Sequence, residues 1–206
     1  MNIKVNATRM EMMRLRRRLA IAVRGHKLLK DKLEGLTQQF LVIVKEYRQA
    51  RDEMRRELPG VMQLFVLARL TSSASAIDQA LAQVKTTGGL AVGRRKIMGV
   101  SVPTFEWTAA MGAASYSLLD TPAELDHAIA ALDELFKKII RLAELEQTVR
   151  VLSVEIERTR RRTNALEYTL IPQIRSTIRT IKGKLEEIER GNITRLMKVK
   201  EMIAGK

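Results

Sequence analysis

The side chains that could act as acids, bases or metal ligands are scattered along this chain. The two histidines, His26 and His127, lie far apart, and neither has a second histidine or carboxylates at metal-ligand spacing. Three acids, Glu186, Glu187 and Glu189, fall on a polar helical stretch where nothing shelters a pair of carboxylates for acid–base work. The sequence therefore predicts no catalytic residue, no cofactor and no metal ion.

The glycines in the middle of the chain do not form a phosphate-binding loop. Gly88-Gly89, Gly93 and Gly99 are followed by no Gly-Lys-Ser/Thr sequence, and no strand-to-helix context surrounds them. We therefore expect no nucleotide binding in this chain.

Composition favours long helices that pack along narrow seams. The 206 residues include only four Phe, three Tyr and one Trp, whereas charged residues make up 29%. Lys and Arg outnumber Asp and Glu by 37 to 23, a net charge of +14, so a large partner should present an acidic protein, nucleic-acid or lipid surface. Cysteine is absent, which excludes a disulfide framework and fits a cytoplasmic compartment. No apolar run approaches the roughly 20 residues that span a bilayer, so we expect no membrane insertion.

The N-terminal part of the chain carries a heptad pattern. Apolar or small residues alternate in steps of three and four, which predicts a long helix with one partner-facing seam. The seam residues are Met12, Leu15, Leu19, Ala22, His26, Leu29, Leu33, Leu36, Phe40, Ile43, Tyr47, Ala50 and Met54. Pro59-Gly60 is expected to break or kink this helix, with a second, small-residue helix over 61–84.

The middle of the chain predicts a short β-hairpin. Gly88-Gly89 end the helical pattern, and the stretch 90–107 mixes Gly and Pro with Val, Ile, Phe and Trp. We predict that Lys96–Met98 pairs with residues near Val102–Phe105. Asp120-Thr121-Pro122 then predicts the start of the last helix, because it offers a capping side chain and a proline for the first turn.

The C-terminal part of the chain carries a second seam. It runs through Leu125, Ile129, Leu132, Phe136, Ile139, Leu142, Leu145, Val149, Leu152 and Ile156, and resumes at Leu166, Leu170, Ile174, Ile178, Ile181, Leu185, Ile188, Asn192 and Val199. Around Pro172 the steps become four, four, four, which predicts local unwinding or a bend. Asn164 and Pro172 at this change of register have two interpretations: a buried polar residue and a kink without further role, or a bend set by Pro172 that serves the function of the protein.

The two seams satisfy each other most simply as an antiparallel pair. The sequence predicts an all-α protein, a left-handed two-helix coiled coil with residue i beside residue 210 minus i, approximately. Its parts would be a long helix over 1–58, a short helix, hairpin and loop over 59–121, and a long helix over 122–206, within one elongated domain.

Three blocks of sequence resemble the D subunit family of the vacuolar/archaeal-type rotary ATPases. The first runs from Asn6 to Lys32, the second is Ile97-Met98-Gly99-Val100-Ser101-Val102-Pro103, and the third covers 159–172 with 185–200. The chain departs from the family pattern at Ala7, where the family has Pro, and at Thr163, where it usually has Val. The resemblance covers nearly the whole chain.

The resemblance implies a central rotor subunit without chemistry of its own. Both termini would insert into a hexamer of alternating A and B subunits, the middle would bind the small F subunit, and the far end would sit on the funnel-like C/d subunit above the membrane ring. The chain would lie at the cytoplasmic face of a membrane and couple ATP hydrolysis or synthesis to proton or sodium transport.

The clustered basic residues are the candidate sites. Between Met1 and Lys30, Glu11 is the only acid among many Lys and Arg, and two positive helices side by side argue for an acidic surround. We predict the hexamer contacts to be Arg9, Arg14, Arg16, Arg17, Arg18, Arg195, Lys198 and Lys200. Further candidates are the hairpin residues Ile97, Met98, Gly99, Val100, Val102 and Pro103, and the mid-chain residues Arg160, Arg161, Arg162, Asn164 and Pro172.

Two other functions compete with the rotor. A cytoskeletal or adaptor coiled coil would keep the heptads, but would not require basic residues at both chain ends or the hairpin block. A nucleic-acid-binding helical protein is permitted by the net charge, yet no aromatic residue interleaves the arginines of 158–162. We therefore expect no nucleic-acid partner.

Overall fold

The computed structural model describes residues 6–83, 86–87, 89–108, 110–111 and 122–204. The predicted helical class with packed N- and C-terminal helices and a small antiparallel hairpin is confirmed. The elements in chain order are α1 Arg9–Thr71, α2 Ala74–Gln83, β1 Thr86–Thr87, β2 Leu90–Ile97, β3 Val100–Trp107, β4 Ala110–Met111, α3 Ala123–Asn164, a π-helical turn Ala165–Leu170, and α4 Ile171–Ala204. No helix in the described ranges carries an apolar stretch of membrane-spanning length.

The chain divides into two compact units. Unit 1 combines the two chain ends, Met1–Glu34 and Ile156–Lys206, and unit 2 is the uninterrupted span Gly35–Glu155. The single elongated domain, with boundaries after residues 58 and 121, remains a prediction.

Unit 1 is held together by a small apolar core between α1 and α4. Leu15, Ile174 and Ile181 are buried there, and half-buried neighbours surround them: Met12, Leu19, Leu170, Ile178 and Leu185. Thr8 caps α1, since its Oγ1 accepts the backbone N–H of Glu11 at 3.2 Å. The predicted seams therefore face each other in this unit.

The predicted offset between the two helices is wrong. It placed residue 201 beside Arg9, but Arg9 forms an ion pair with Glu189, and His26 Nε2 lies 3.3 Å from Glu167 Oε2. A heptad pattern fixes which face of a helix is buried, but a shift of whole heptads keeps apolar residues opposite apolar residues. The axial offset is therefore not encoded in the spacing.

Helix α1 continues beyond the predicted break at Pro59-Gly60. The predicted seam residues from Met12 to Met54 are buried or half-buried, and Val61 and Ala68 continue it on the far side of Pro59. Pro59 removes one backbone donor, but it lies on the exposed face of α1, and the packed seam continues past it on the other face. Helix α1 ends at Thr71 and α2 begins at Ala74. The second helix therefore starts at residue 74 and not at the predicted residue 61.

Unit 2 has an apolar cluster where α1, α2 and α3 meet. Its buried residues are Ala68, Ile77, Ala80, Leu125 and Ile129, with Phe65 packed against them. The Leu125 N–H bonds to the Pro122 carbonyl at 3.0 Å, which agrees with a helix start at Pro122. The predicted capping residues Asp120 and Thr121 lie outside the described residues.

The hairpin is formed by β2 and β3, but its predicted register is wrong. Lys96 pairs with Ser101 and Ile97 with Val100, while Met98 and Gly99 form the turn. Both turn residues have positive φ, 50° and 82°, which is the signature of a tight type I′ turn. Methionine rarely takes a positive φ, so the residue type at position 98 does not indicate a turn.

The helix changes its winding just before Pro172, as predicted. The backbone N–H of Ile171 bonds to the carbonyl of Leu166, five residues back, so the chain makes one wide π turn. This turn takes up the extra residue in the heptad pattern before α4 begins. Asn164 is exposed and its neighbour Thr163 is buried, so the interpretation of Asn164 as a buried polar residue is wrong, and the bend set by Pro172 stays a prediction.

Candidate functional site

The predicted basic contact residues all belong to unit 1. Five of them lie in the first turns of α1, and the other three lie near the end of α4; all eight are exposed. We call this set the basic end: Arg9, Arg14, Arg16, Arg17, Arg18, Arg195, Lys198 and Lys200. Both groups lie toward the same end of unit 1, where Ala7, just before α1, and Arg195 line one cleft together with Ile188 and Asn192.

Most charges of the basic end have no acid close to them in the described chain. Arg9 pairs with Glu189, and Arg14 lies 3.7 Å from Glu11, with Arg9 and Arg14 side chains still 76% and 79% exposed. Exposed ion pairs of this kind contribute little to stability, about 0–1 kcal/mol. These arginines are therefore available to bind an acidic partner.

Exposed apolar side chains lie among these charges. Leu196, Met202 and Ile203 on α4 are 67%, 63% and 73% exposed, and Met10 on α1 is 82% exposed. The predicted seam residues Ile188, Asn192 and Val199 are exposed as well, which contradicts their predicted burial. The reason is that α1 begins at Arg9, beside Glu189, so α1 does not cover α4 beyond that point.

The hairpin residues divide into anchors and exposed positions. Val100 and Val102 are buried, and the Met98 methyl group packs closely on Gly35, where a Cβ would lie 2.6 Å from it. Trp107 and Phe136 form an edge-to-face ring pair with centroids 4.9 Å apart. The hairpin is thus attached to the helices of unit 2 at both its turn and its base.

One carboxylate joins both hairpin strands to α3. The backbone N–H of Phe105 in β3 donates to Glu144 Oε2 at 3.2 Å, and Arg95 in β2 lies 3.8 Å from Glu144 Oε1. Sequence reasoning missed Glu144 because it is a surface-type residue on a long helix, and no spacing rule connects it with the hairpin.

The mid-chain arginines Arg160, Arg161 and Arg162 are exposed. Arg161 pairs with Glu157 of its own helix at 2.8 Å, whereas Glu57 bonds to Lys138 at 2.6 Å. The hydrogen bond from Lys138 to Glu57 raises the pKa of the Lys138 ammonium, and bonds to Glu134 and Asp133 likewise raise the pKa of Lys137.

Four buried threonines complete the second seam, and sequence reasoning missed them. Thr159 and Thr163 fill the gap between Ile156 and Leu166 in steps of three and four, and Thr148 and Thr177 are buried on the same helical path. Thr163 and Thr177 donate their hydroxyls to carbonyls four residues back, at 3.0 and 2.8 Å. The spacing was a usable signal, but only apolar residues had been counted.

The described residues expose both charged and apolar surfaces. Within those ranges no three His, Asp or Glu side chains come together as a metal site. The two lysines whose pKa is raised, Lys137 and Lys138, form ion pairs at the surface.

Comparison with known proteins identifies the family of the chain. The family model that describes the D subunit of ATP synthase matches residues 11–201. The chain belongs to the ATP synthase D subunit family.

Curated relatives of this family match the chain over nearly its whole length. The V-type ATP synthase D subunit of Acetivibrio thermocellus is 44% identical over 98% of this chain and 92% of its own. The D subunits of a Thermoanaerobacter species and of Clostridium botulinum are 44% and 40% identical, over 98% and 100% of this chain and 97% and 98% of their own. Family membership makes the chain one component of a larger ATP synthase complex.

Proposed function

We propose that this chain is the central rotor axle of a V/A-type ATPase. It would couple ATP hydrolysis or synthesis in the A/B hexamer to ion translocation through the membrane ring, as a non-catalytic subunit at the cytoplasmic face of the membrane. The observation that carries the proposal is the basic end, where exposed Arg and Lys side chains of α1 and α4 lie among exposed apolar residues.

The chemistry of the basic end fits a contact that turns. Long Arg and Lys side chains carry their charge on flexible stems and exchange partners at little cost, since exposed ion pairs are weak. Residues such as Leu196 and Met202 add apolar area that would be covered inside the acidic cavity of a hexamer. Such a surface binds without locking into one orientation.

Unit 2 supplies surfaces for the other partners that the proposal names. The last turns of α1 expose Met62, Val66 and Leu70 at 47%, 57% and 77%, an apolar stripe suited to the socket of the C/d subunit. Leu41 and Val42 form a second exposed apolar site on α1, which we assign to the small F subunit. The exposed mid-chain residues Arg160–Arg162 would lie near F or the lower part of the hexamer.

Reconstitution tests the proposal directly. The chain is mixed with its F-type partner and an A/B hexamer, and complex formation and ATPase rate are compared with those of a form lacking residues 1–12 and 196–206. We expect the intact chain to insert and change the turnover, and the truncated form to bind weakly or slip. A hexamer that ignores the intact chain would instead favour a non-rotary coiled-coil adaptor.

Matched arginine substitutions separate the basic end from charge in general. Replacing Arg16, Arg17 and Arg18 together by Gln should weaken binding to the hexamer and flatten its salt dependence. The same triple change at Arg51, Arg55 and Arg56, which are equally exposed in unit 2, is the control and should leave hexamer binding nearly intact. Equal loss in both triple variants would show that only total charge counts.

A further inference from the structure

The hairpin has one strand edge that no described residue covers. Side chains of β2 are exposed along its whole length except for half-buried Ile97, whereas Val100 and Val102 of β3 are buried. The outer edge of β3 faces α3, because the Phe105 N–H donates to Glu144. The uncovered edge therefore belongs to β2.

The register shows which backbone groups point outward from β2. The Phe105 N–H points away from β2, so its direct partner Val92 also directs its N–H and C=O away from the hairpin. The same holds for every second residue of the strand: Leu90, Arg94 and Lys96. Pro103 agrees with this phase, since it lacks an N–H and sits opposite Arg94, at a position that needs none for the ladder.

We propose that β2 accepts an extended acidic segment of a partner protein as a third strand. The outward N–H and C=O groups provide the hydrogen bonds of strand addition, which do not depend on partner sequence. Specificity comes from charge, because Arg94, Arg95 and Lys96 are consecutive and exposed. Within the described chain, the acid close to them is Glu144, 3.8 Å from Arg95. Leu90 and Val92, 46% and 64% exposed, add apolar contacts at the other end of the strand.

The same charges disfavour a second copy of this chain as the added strand. Antiparallel pairing of two β2 edges centred on Arg95 would place Arg95 opposite the same residue of the copy and Arg94 opposite its Lys96. Like charges directly opposite one another destabilise a strand pair, and basic residues on an edge are a known protection against self-association. An acidic strand turns this repulsion into attraction.

Amide exchange on the full chain tests strand addition residue by residue. The probe is a synthetic peptide of alternating Glu and Val, as long as the eight residues of β2. We expect the outward amides of Val92, Arg94 and Lys96 to exchange at least about tenfold more slowly with peptide present. The amides of Ala91, Gly93 and Arg95 are already bonded in the ladder and should change little. A peptide with Lys in place of each Glu should give no protection.

Two substitutions at Val92 provide the matched control. Val92→Pro removes one outward N–H without touching the ladder, and Pro103 shows that the hairpin tolerates proline at such a position. Val92→Thr keeps the N–H. We expect the peptide to slow exchange of the Arg94 amide in the Thr variant but not in the Pro variant. Slow exchange of the Ala91 and Gly93 amides in both variants would confirm that the hairpin is intact.

Several results would overturn the proposal. The first is that the acidic peptide does not slow exchange of the β2 amides, and the second is that both peptides slow it equally. The third is that the chain binds vesicles rich in anionic lipid while the peptide has no effect, which would assign the basic strand to a membrane surface. Reversing charge with Arg94→Glu and Lys96→Glu should invert the peptide preference. The inference goes beyond the rotor proposal, since none of these measurements depends on an A/B hexamer.

Discussion

The buried threonines show how single polar groups adjust this helix pair. Thr163 and Thr148 both lie on the seam of α3, 5% and 0% exposed. The Thr163 hydroxyl is bonded to the Thr159 carbonyl, whereas the Thr148 hydroxyl is buried without a partner among the described residues. Two threonines in similar places therefore differ in the cost of burying their hydroxyls.

Replacing each threonine by valine should separate these two cases. Thr148→Val removes an unsatisfied hydroxyl and keeps the shape, so it should raise the free energy of unfolding by about 1 kcal/mol or more. Thr163→Val loses a hydrogen bond together with its hydroxyl, so it should stay within about 0.5 kcal/mol of the parent. Urea unfolding followed by circular dichroism measures both. Equal gains would show that the Thr163 bond contributes nothing.

Two glycines of α1 offer a second matched pair. A Cβ at Gly25 meets nothing within 4 Å, whereas one at Gly35 would lie 2.6 Å from the Met98 methyl group. Gly25→Ala should stabilise the chain by up to about 1 kcal/mol through helix propensity. Gly35→Ala should gain less, because the end of the Met98 side chain must move away. Thermal unfolding gives the comparison, and a larger gain at Gly35 would contradict the packing of the hairpin turn on α1.

At the scale of elements, the π turn and Pro172 act together. Pro172 lacks the N–H that an α-helix would use at that position, and the wide turn before it absorbs the extra residue of the heptad pattern. The other proline inside a helix, Pro59, is exposed in plain α-helix. Proline alone therefore does not produce the π turn; the change of seam register is also needed.

Pro172→Ala should change turnover in the assembled complex more than it changes folding. The substitution restores a backbone donor and lets the helix rewind, which alters how α4 continues from α3. Pro59→Ala is the control and should leave the ATPase rate of the reconstituted complex near that of the parent. Unchanged coupled activity in the Pro172 variant would remove any role for the π turn in rotation.

The helical faces were predictable from sequence, and several other features were not. Burial along α1 follows the heptad from Met12 to Met54, because a 3.5-residue repeat keeps one stripe turned inward. The axial offset that joins Arg9 to Glu189 was not predictable, since heptads look alike when shifted. The Met98 turn was missed because its positive φ is unusual for methionine. Of the candidate sites, the exposure of the basic residues was predictable from their charge and their contacts stay a prediction, whereas the role of Glu144 needed the tertiary structure.

At the scale of the whole molecule, much apolar surface is exposed. Leu28, Leu70, Leu196 and Ile203 are each 67% exposed or more. A chain that exposes such residues loses hydrophobic stabilisation that a partner would restore. The isolated chain should therefore be marginally stable and prone to aggregate.

Adding an F-type partner should raise the melting temperature of the chain. A ligand that binds only the folded state at 100 times its Kd adds about 2.7 kcal/mol to the free energy of unfolding. Calorimetry at increasing partner concentration checks this, and Leu41→Glu should reduce the shift if the site exposed on α1 is the one used. A melting temperature independent of partner concentration would contradict binding to the native chain.

The composition of unit 1 from the two chain ends also sets an order of events during synthesis. Unit 2 is one uninterrupted span, Gly35–Glu155, so its contacts become available while the C-terminus is still being made. Leu15 cannot meet Ile174 and Ile181 until nearly the whole chain has left the ribosome. The first turns of α1 must then wait, with their apolar residues uncovered, and this is the interval in which chaperones would be most needed.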